Sequence, residues 1–216
     1  MTNPKLRVIF IIGFLLLFSP PSSLFAGLLT GKRFCIDPGH GGTKADVPQG
    51  VNYNLGAGGY NGSAWPDEKD LVLDCSKCLW LLLKETDATE VRLTRIEDVY
   101  TSYHRRVTVA NGTPTGTPAV DMFISVHHNG VSNTESNYTQ TNYDPSPGTC
   151  STNGTKNHEL AVYTVNELDS LLRIGKYKSN DGTLARKWGK NGVYVLHHIT
   201  MVGELTEASF ISCRTE

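Results

Sequence analysis

Residues Val120 to His128 read Val-Asp-Met-Phe-Ile-Ser-Val-His-His. The run is apolar with few interruptions, and its Val, Ile and Phe mark a strand buried on both faces. Such a strand needs cover above and below. Leu71, Val72, Cys75, Cys78, Leu79 and Leu82 recur at helical spacing, with Pro66 and Asp67 as start residues just ahead. Residues 102–111 and Glu159 to Leu172 are also expected to be helical. Further strands are expected at Arg33 to Ile36, Val91 to Leu93, Gly192 to Leu196 and Val202 to Thr206. Residues 43–66 and 130–157 are rich in small polar residues and are expected to be loops. Strands alternating with helices predict an α/β fold, a mostly parallel sheet flanked by helices. At 216 residues the chain suits one domain.

The first residues stand apart from that fold. Lys5 and Arg7 precede an apolar run from Val8 to Phe18, and Leu24-Phe25-Ala26-Gly27 follows. A basic start, a short apolar centre and a small residue at the end describe a secretory signal over residues 1–26, cleaved after Ala26. The run is too short for the roughly 20 residues that span a bilayer. The expected product is periplasmic or secreted, with no membrane span once the signal is gone. The formal charge of −1 lacks the basic excess of a nucleic-acid binder.

The cysteines number five, too few and odd for a disulfide-stapled miniprotein. Cys75-x-x-Cys78 has the spacing of a redox motif, but both residues share the apolar helix face, where buried thiols serve as small core residues. Cys35 is expected in the core. A Cys150–Cys213 bridge stays open.

Several residues carry metal-ligand chemistry. His40 lies in the glycine-rich turn Asp37-Pro38-Gly39-His40-Gly41-Gly42 after a strand. Glu68 begins a helix, and His127 and His128 end the buried strand. In an open α/β sheet, ligands bind at the carboxyl ends of strands. A hydrolytic zinc takes three protein ligands of these types and keeps a fourth position for water.

The same segments carry a resemblance. Ile36 to Gly42 resembles the opening motif of the amidase-3 family, the zinc-dependent N-acetylmuramoyl-L-alanine amidases. Glu68-Lys69-Asp70, Leu93-Thr94-Arg95 with Asp98, and Arg106 followed by Ala110-Asn111 are similar to further family motifs. So are Phe123-Ile124-Ser125-Val126-His127-His128-Asn129 and Glu207-Ala208-Ser209-Phe210-Ile211-Ser212. The six segments follow the family's order across residues 33–212.

The resemblance implies zinc ligands His40, Glu68 and His127, with His127 chosen over His128 by its place two residues after Ser125. It implies Glu207 as the catalytic carboxylate, with Glu204 a weaker competitor. It implies peptidoglycan as substrate, cut at the amide between N-acetylmuramic acid and L-alanine, and leaves any activating partner unspecified. Residues 27–216 would be the catalytic domain, short of the terminal helix with which family members usually end. Arg106 is expected to pair with a carboxylate, and His104 and Arg105 to face solvent. His197 and His198 are expected at the surface or behind the site. The loop from Gly130 to Asn157 is expected to border the substrate groove. Val202, Ser209 and Cys213-Arg214 depart from the family's usual Pro, Gly and Asn-Pro. Two rival readings remain: a non-catalytic peptidoglycan-binding or regulatory module, and a zinc peptidase acting within the stem peptide.

Overall fold

A computed structural model describes residues 29–58, 66–113, 115–131, 135–145, 153–178, 181–187 and 193–213. The expected signal segment and Cys150 lie outside the described residues. The elements run β1 (Arg33–Pro38), α1 (Glu68–Lys84), β2 (Glu90–Leu93), α2 (Tyr103–Asn111), β3 (Met122–Asn129), β4 (Gln140–Tyr143), α3 (Asn153–Leu172), β5 (Thr183–Ala185), α4 (Tyr194–His198) and β6 (Val202–Phe210). The strands form one sheet in the order β2-β1-β3-β6-β4-β5. Among the described strands, β4 against β6 is the one antiparallel pair. The fold is therefore the expected α/β sheet, mostly parallel, with helices on its faces. Among the described residues no helix is long and apolar enough to cross a membrane.

The strand first read from the sequence is indeed the spine. β3 pairs with β1 on one side, Ile36 opposite Ile124, and with β6 on the other, Glu204 opposite Ile124. Side chains alternate between its faces. Phe123 packs with Cys35, Val107, Ala110, Val195, Leu196 and Leu205, the core under α2 and α4. Phe34, Ile36 and Val91 form the opposite core, against Leu79, Trp80 and Leu83 of α1. Ser102 caps α2 by accepting from the Arg105 backbone N–H, and Gly112, at φ 73°, ends it.

Two expectations are corrected. Gly192 to Leu196 is not a strand: its described part enters α4. Val193 and Val195 suggested a strand, but Val195, Leu196 and Ile199 are the residues buried, and that spacing lies on one face of a helical turn. The segment 130–157 is not a loop throughout: it contains β4 and the start of α3. β4 has no apolar alternation to announce it. Gln140, Thr141 and Asn142 are polar and buried, and Gln140 Nε2 donates to Asn142 Oδ1 within the strand. β5 also lacked a signal in the sequence.

Cys35 is buried in the core as expected, whereas Cys75 and Cys78, expected on a buried helix face, are only half-buried. Cys35, Cys75 and Cys78 are free thiols. Burial pushes the Cys75 thiol up to about 12, the reverse of the thiolate a redox motif needs.

Candidate metal centre

The site stands over the carboxyl ends of β1, β3 and β6. The turn after β1 is held by buried polar groups. Asp37, 1% exposed, accepts from Thr94 Oγ1, Ser125 Oγ and Arg106 Nη1. Burial alone would raise its carboxyl, but the Arg106 guanidinium and these hydrogen bonds hold it below the usual carboxylate range. Arg106 is the carboxylate partner expected of it. It also donates to the Pro38 and His40 carbonyls and to the Tyr53 hydroxyl. Arg95 donates to the Pro38, Gly39 and Lys69 carbonyls. Two arginines thus satisfy the turn's carbonyls and tie it to the start of α1. His40 has φ 55°, a left-handed conformation uncommon outside glycine that the surrounding contacts must hold. His104 and Arg105 face solvent.

That turn aims His40 at α1 and β3. Nδ1 of His40 donates to the Asn54 carbonyl at 2.9 Å, which leaves Nε2 facing inward. Nε2 lies 2.8 Å from Glu68 Oε1 and 3.0 Å from His127 Nδ1, and His127 Nδ1 lies 3.1 Å from Glu68 Oε1. The second carboxyl oxygen of Glu68 accepts from the Ala57 N–H. Burial by itself would raise Glu68, but hydrogen bonds and charge from His127 and His40 hold it well below the usual range. Burial lowers His127 below the ordinary imidazole value.

These three residues are a group able to hold a metal ion. Ligands about 2.0–2.1 Å from a tetrahedral ion stand roughly 3.3 Å from one another, close to the spacings here. Two imidazole nitrogens and an ionised oxygen suit zinc. His128 is not part of this group: its side chain reaches Ser209 Oγ, its backbone N–H donates to Glu68 Oε1, and burial pushes its imidazole down to about 4. The β3–β6 register shifts between His127 and Asn129, a strand irregularity of the kind that re-aims side chains beside sites.

Glu207 sits opposite His127 in the β3–β6 ladder. Its Oε2 is buried and has no hydrogen-bond partner among the described residues. Burial and repulsion from Glu68 push its carboxyl up to about 8, against the pull of Arg186. Glu204 is on the other face, where its Oε1 accepts from Thr164 of α3.

A pocket of about 600 Å³ joins His40, Glu68, His127 and Glu207. Tyr103, Tyr194, Asn142 and Arg186 add to its wall. Of the expected groove loop, Gly130 and Asn142 line it, while residues 132–134 and 146–152 lie outside the described residues. His197 lies behind the wall, its Nδ1 2.8 Å from Asp144 Oδ2, and His198 stacks on Tyr194. Sequence reasoning did not single out Gly39, Arg95, Asn142 or Arg186. For Gly39 and Arg95 the motifs were visible, but their backbone contacts were not.

Comparison with known proteins follows the same lines. Residues 34–216 match the family model described as N-acetylmuramoyl-L-alanine amidase. No curated protein matches significantly. Among solved structures, an N-acetylmuramoyl-L-alanine amidase from Clostridium difficile 630 is 25% identical, with a TM-score of 0.63, over 86% of this chain and 83% of that one. The Ami1 amidase from Mycobacterium smegmatis shares the fold at 16% identity, with a TM-score of 0.69, over 86% and 85% of the two chains. The CwlD amidase from Clostridioides difficile, solved in complex with the GerS lipoprotein, shares it at 21% identity, with a TM-score of 0.60, over 85% and 84%.

Proposed function

This chain belongs to the amidase-3 family of N-acetylmuramoyl-L-alanine amidases, and from that premise we propose that it cuts its peptidoglycan amide with a zinc ion held by His40, Glu68 and His127 and with Glu207 as general base and acid. The observation that carries the proposal is the convergence of three ligand atoms in one pocket with a buried carboxyl oxygen that has no hydrogen-bond partner among the described residues. Such an oxygen costs free energy unless something occupies the space before it. A zinc ion in that ligand set supplies a Lewis acid that makes water a usable nucleophile near neutral pH.

The chain's own groups do the rest. Asn54 fixes the ring orientation of His40, and Ala57 that of the Glu68 carboxylate. Oε2 of Glu207 accepts a proton from the attacking water and returns it to the amide nitrogen, so that the peptide leaves as an amine. Leu205, Val193 and Val195 give the pocket an apolar lining.

In this reading, residues 1–26 are a secretory signal and residues 27–216 the catalytic domain, acting in the periplasm or outside the cell. The test is digestion of purified peptidoglycan by the isolated protein, before and after chelation and zinc restoration, with mass analysis of the products. Free stem peptides beginning with L-alanine, lost on chelation and regained with zinc, are expected. Cuts within the stem peptide, or none with zinc bound, would overturn the proposal.

A further inference from the structure

One cation in the pocket has no task in that chemistry. Arg106 is consumed by Asp37, backbone carbonyls and Tyr53. Arg186 is not. It directly follows β5, and its backbone N–H extends the ladder to the Tyr143 carbonyl at 2.8 Å. Its Nε donates to Asn142 Oδ1 at 3.0 Å, and the same oxygen accepts from Gln140 Nε2 at 2.9 Å. Asn142 is 2% exposed and Gln140 4%. Two amides are therefore buried on β4 in an arrangement that points one oxygen at this guanidinium. The placement accounts for a strand built from polar residues.

The anchor uses one of five guanidinium N–H donors. Among the described residues, neither terminal nitrogen of Arg186 has a hydrogen-bond partner and no carboxylate forms an ion pair with it. It lines the pocket together with Glu207 and is the cation whose charge bears on that carboxyl. A guanidinium held through Nε presents a planar fork, which matches a carboxylate with two parallel hydrogen bonds.

We infer that Arg186 is a specificity-determining residue that receives a carboxylate of the stem peptide on the leaving side of the cut. The inference rests on the amidase reading. Glu207 must reach the amide nitrogen, so the peptide attached to that nitrogen extends from the Glu207 side of the pocket. There Arg186 stands beyond it, on the β4–β5 side of β6. The residue joined to L-alanine is a D-glutamate linked through its side chain, so its α-carboxylate is free. That carboxylate lies roughly 6 Å from the nitrogen along an extended chain. In many walls the same group is amidated, and an amide offers neither the charge nor two acceptors.

The test compares two synthetic muropeptides, one with this carboxylate free and one with it amidated, in wild type, Arg186→Gln and Arg186→Lys. Wild type is expected to prefer the free acid in kcat/KM by roughly tenfold to a hundredfold, the scale of a charge-assisted hydrogen-bonded pair. Arg186→Gln should bring that ratio near one, chiefly through KM, with zinc content unchanged. Arg186→Lys, which keeps the charge without the fork, should fall between. Calorimetric binding of the product L-alanyl-γ-D-glutamate, which needs no turnover, should weaken by a similar factor in Arg186→Gln. An unchanged ratio in Arg186→Gln, or equal wild-type rates and product binding indifferent to Arg186, would overturn the inference. If wild type cut neither muropeptide, the amidase reading would fall, and the product-binding arm would still decide the role of Arg186.

Discussion

Glu204 and Glu207 lie three residues apart on β6 and face opposite sides of the sheet, Glu204 toward Thr164 of α3 and Glu207 into the pocket with His127. The alternation of side chains along a strand separates two carboxylates that the sequence sets almost side by side. Glu207→Gln is expected to lower release of stem peptides by about 10² to 10⁴ with bound zinc unchanged, since Gln keeps the shape but cannot carry the proton. Glu204→Gln should leave release close to wild type. Both are read by digestion of purified peptidoglycan with zinc measured in the same samples. Strong activity in Glu207→Gln would remove it from the chemistry.

Glu204 should show itself in stability. Burial pushes its carboxyl from 4.5 up to about 8. An acid raised in the folded state binds more protons folded than unfolded. Its contribution is therefore present below about pH 4.5 and is lost as the pH rises through about 8. Glu204→Gln cannot ionise, so the variant's stability relative to wild type should grow between pH 5 and pH 8.5. Urea unfolding of both proteins across that range measures it, and parallel curves would count against a buried, proton-retaining Glu204.

The ligand assignment makes a four-way prediction. His40→Ala, Glu68→Ala and His127→Ala should each lose most bound zinc, because each removes one of three protein ligands. His128→Ala should retain it, because that ring faces Ser209. Metal analysis of the purified variants decides. Zinc loss in His128→Ala together with retention in His127→Ala would reverse the choice between the two histidines.

Gly39 is predicted to be irreplaceable for a reason that is not its φ. A Cβ there would stand 2.3 to 2.6 Å from three atoms of the His127 ring. Real carbon contacts do not come so close, so Gly39→Ala must displace the ring or the turn. Metal affinity is expected to fall by about 10- to 100-fold, the scale seen when the support of a ligand is disturbed. Competition with a chelator measures it, and unchanged affinity would mean that the turn relaxes freely.

Arg106→Met should unfold more easily by about 3–5 kcal/mol, because it leaves the Asp37 carboxylate buried without its counter-charge. Urea denaturation gives the value. A loss below about 1 kcal/mol, the scale of an exposed ion pair, would mean that Asp37 finds other compensation.

The central strand, the turn around His40, the helix start at Glu68 and the membership in an α/β class were legible in the residues themselves. Each depends on neighbours along the chain: apolar runs, glycine spacing and helix-start chemistry act over a few residues. The six family segments in order carried the candidate ligands as well. What the chain could not announce was whatever depends on partners far away in sequence. β4 is a strand because β6 pairs with it and because its buried amides satisfy one another and Arg186. α4 is a helix because Val195, Leu196 and Ile199 must reach a core shared with α2 and β3. Arg95 and Arg106 close the His40 turn across 56 and 68 residues. Local pattern sets what a segment can form, but burial and hydrogen bonding across the fold select what it does form, and the polar wall of this pocket belongs wholly to the second kind.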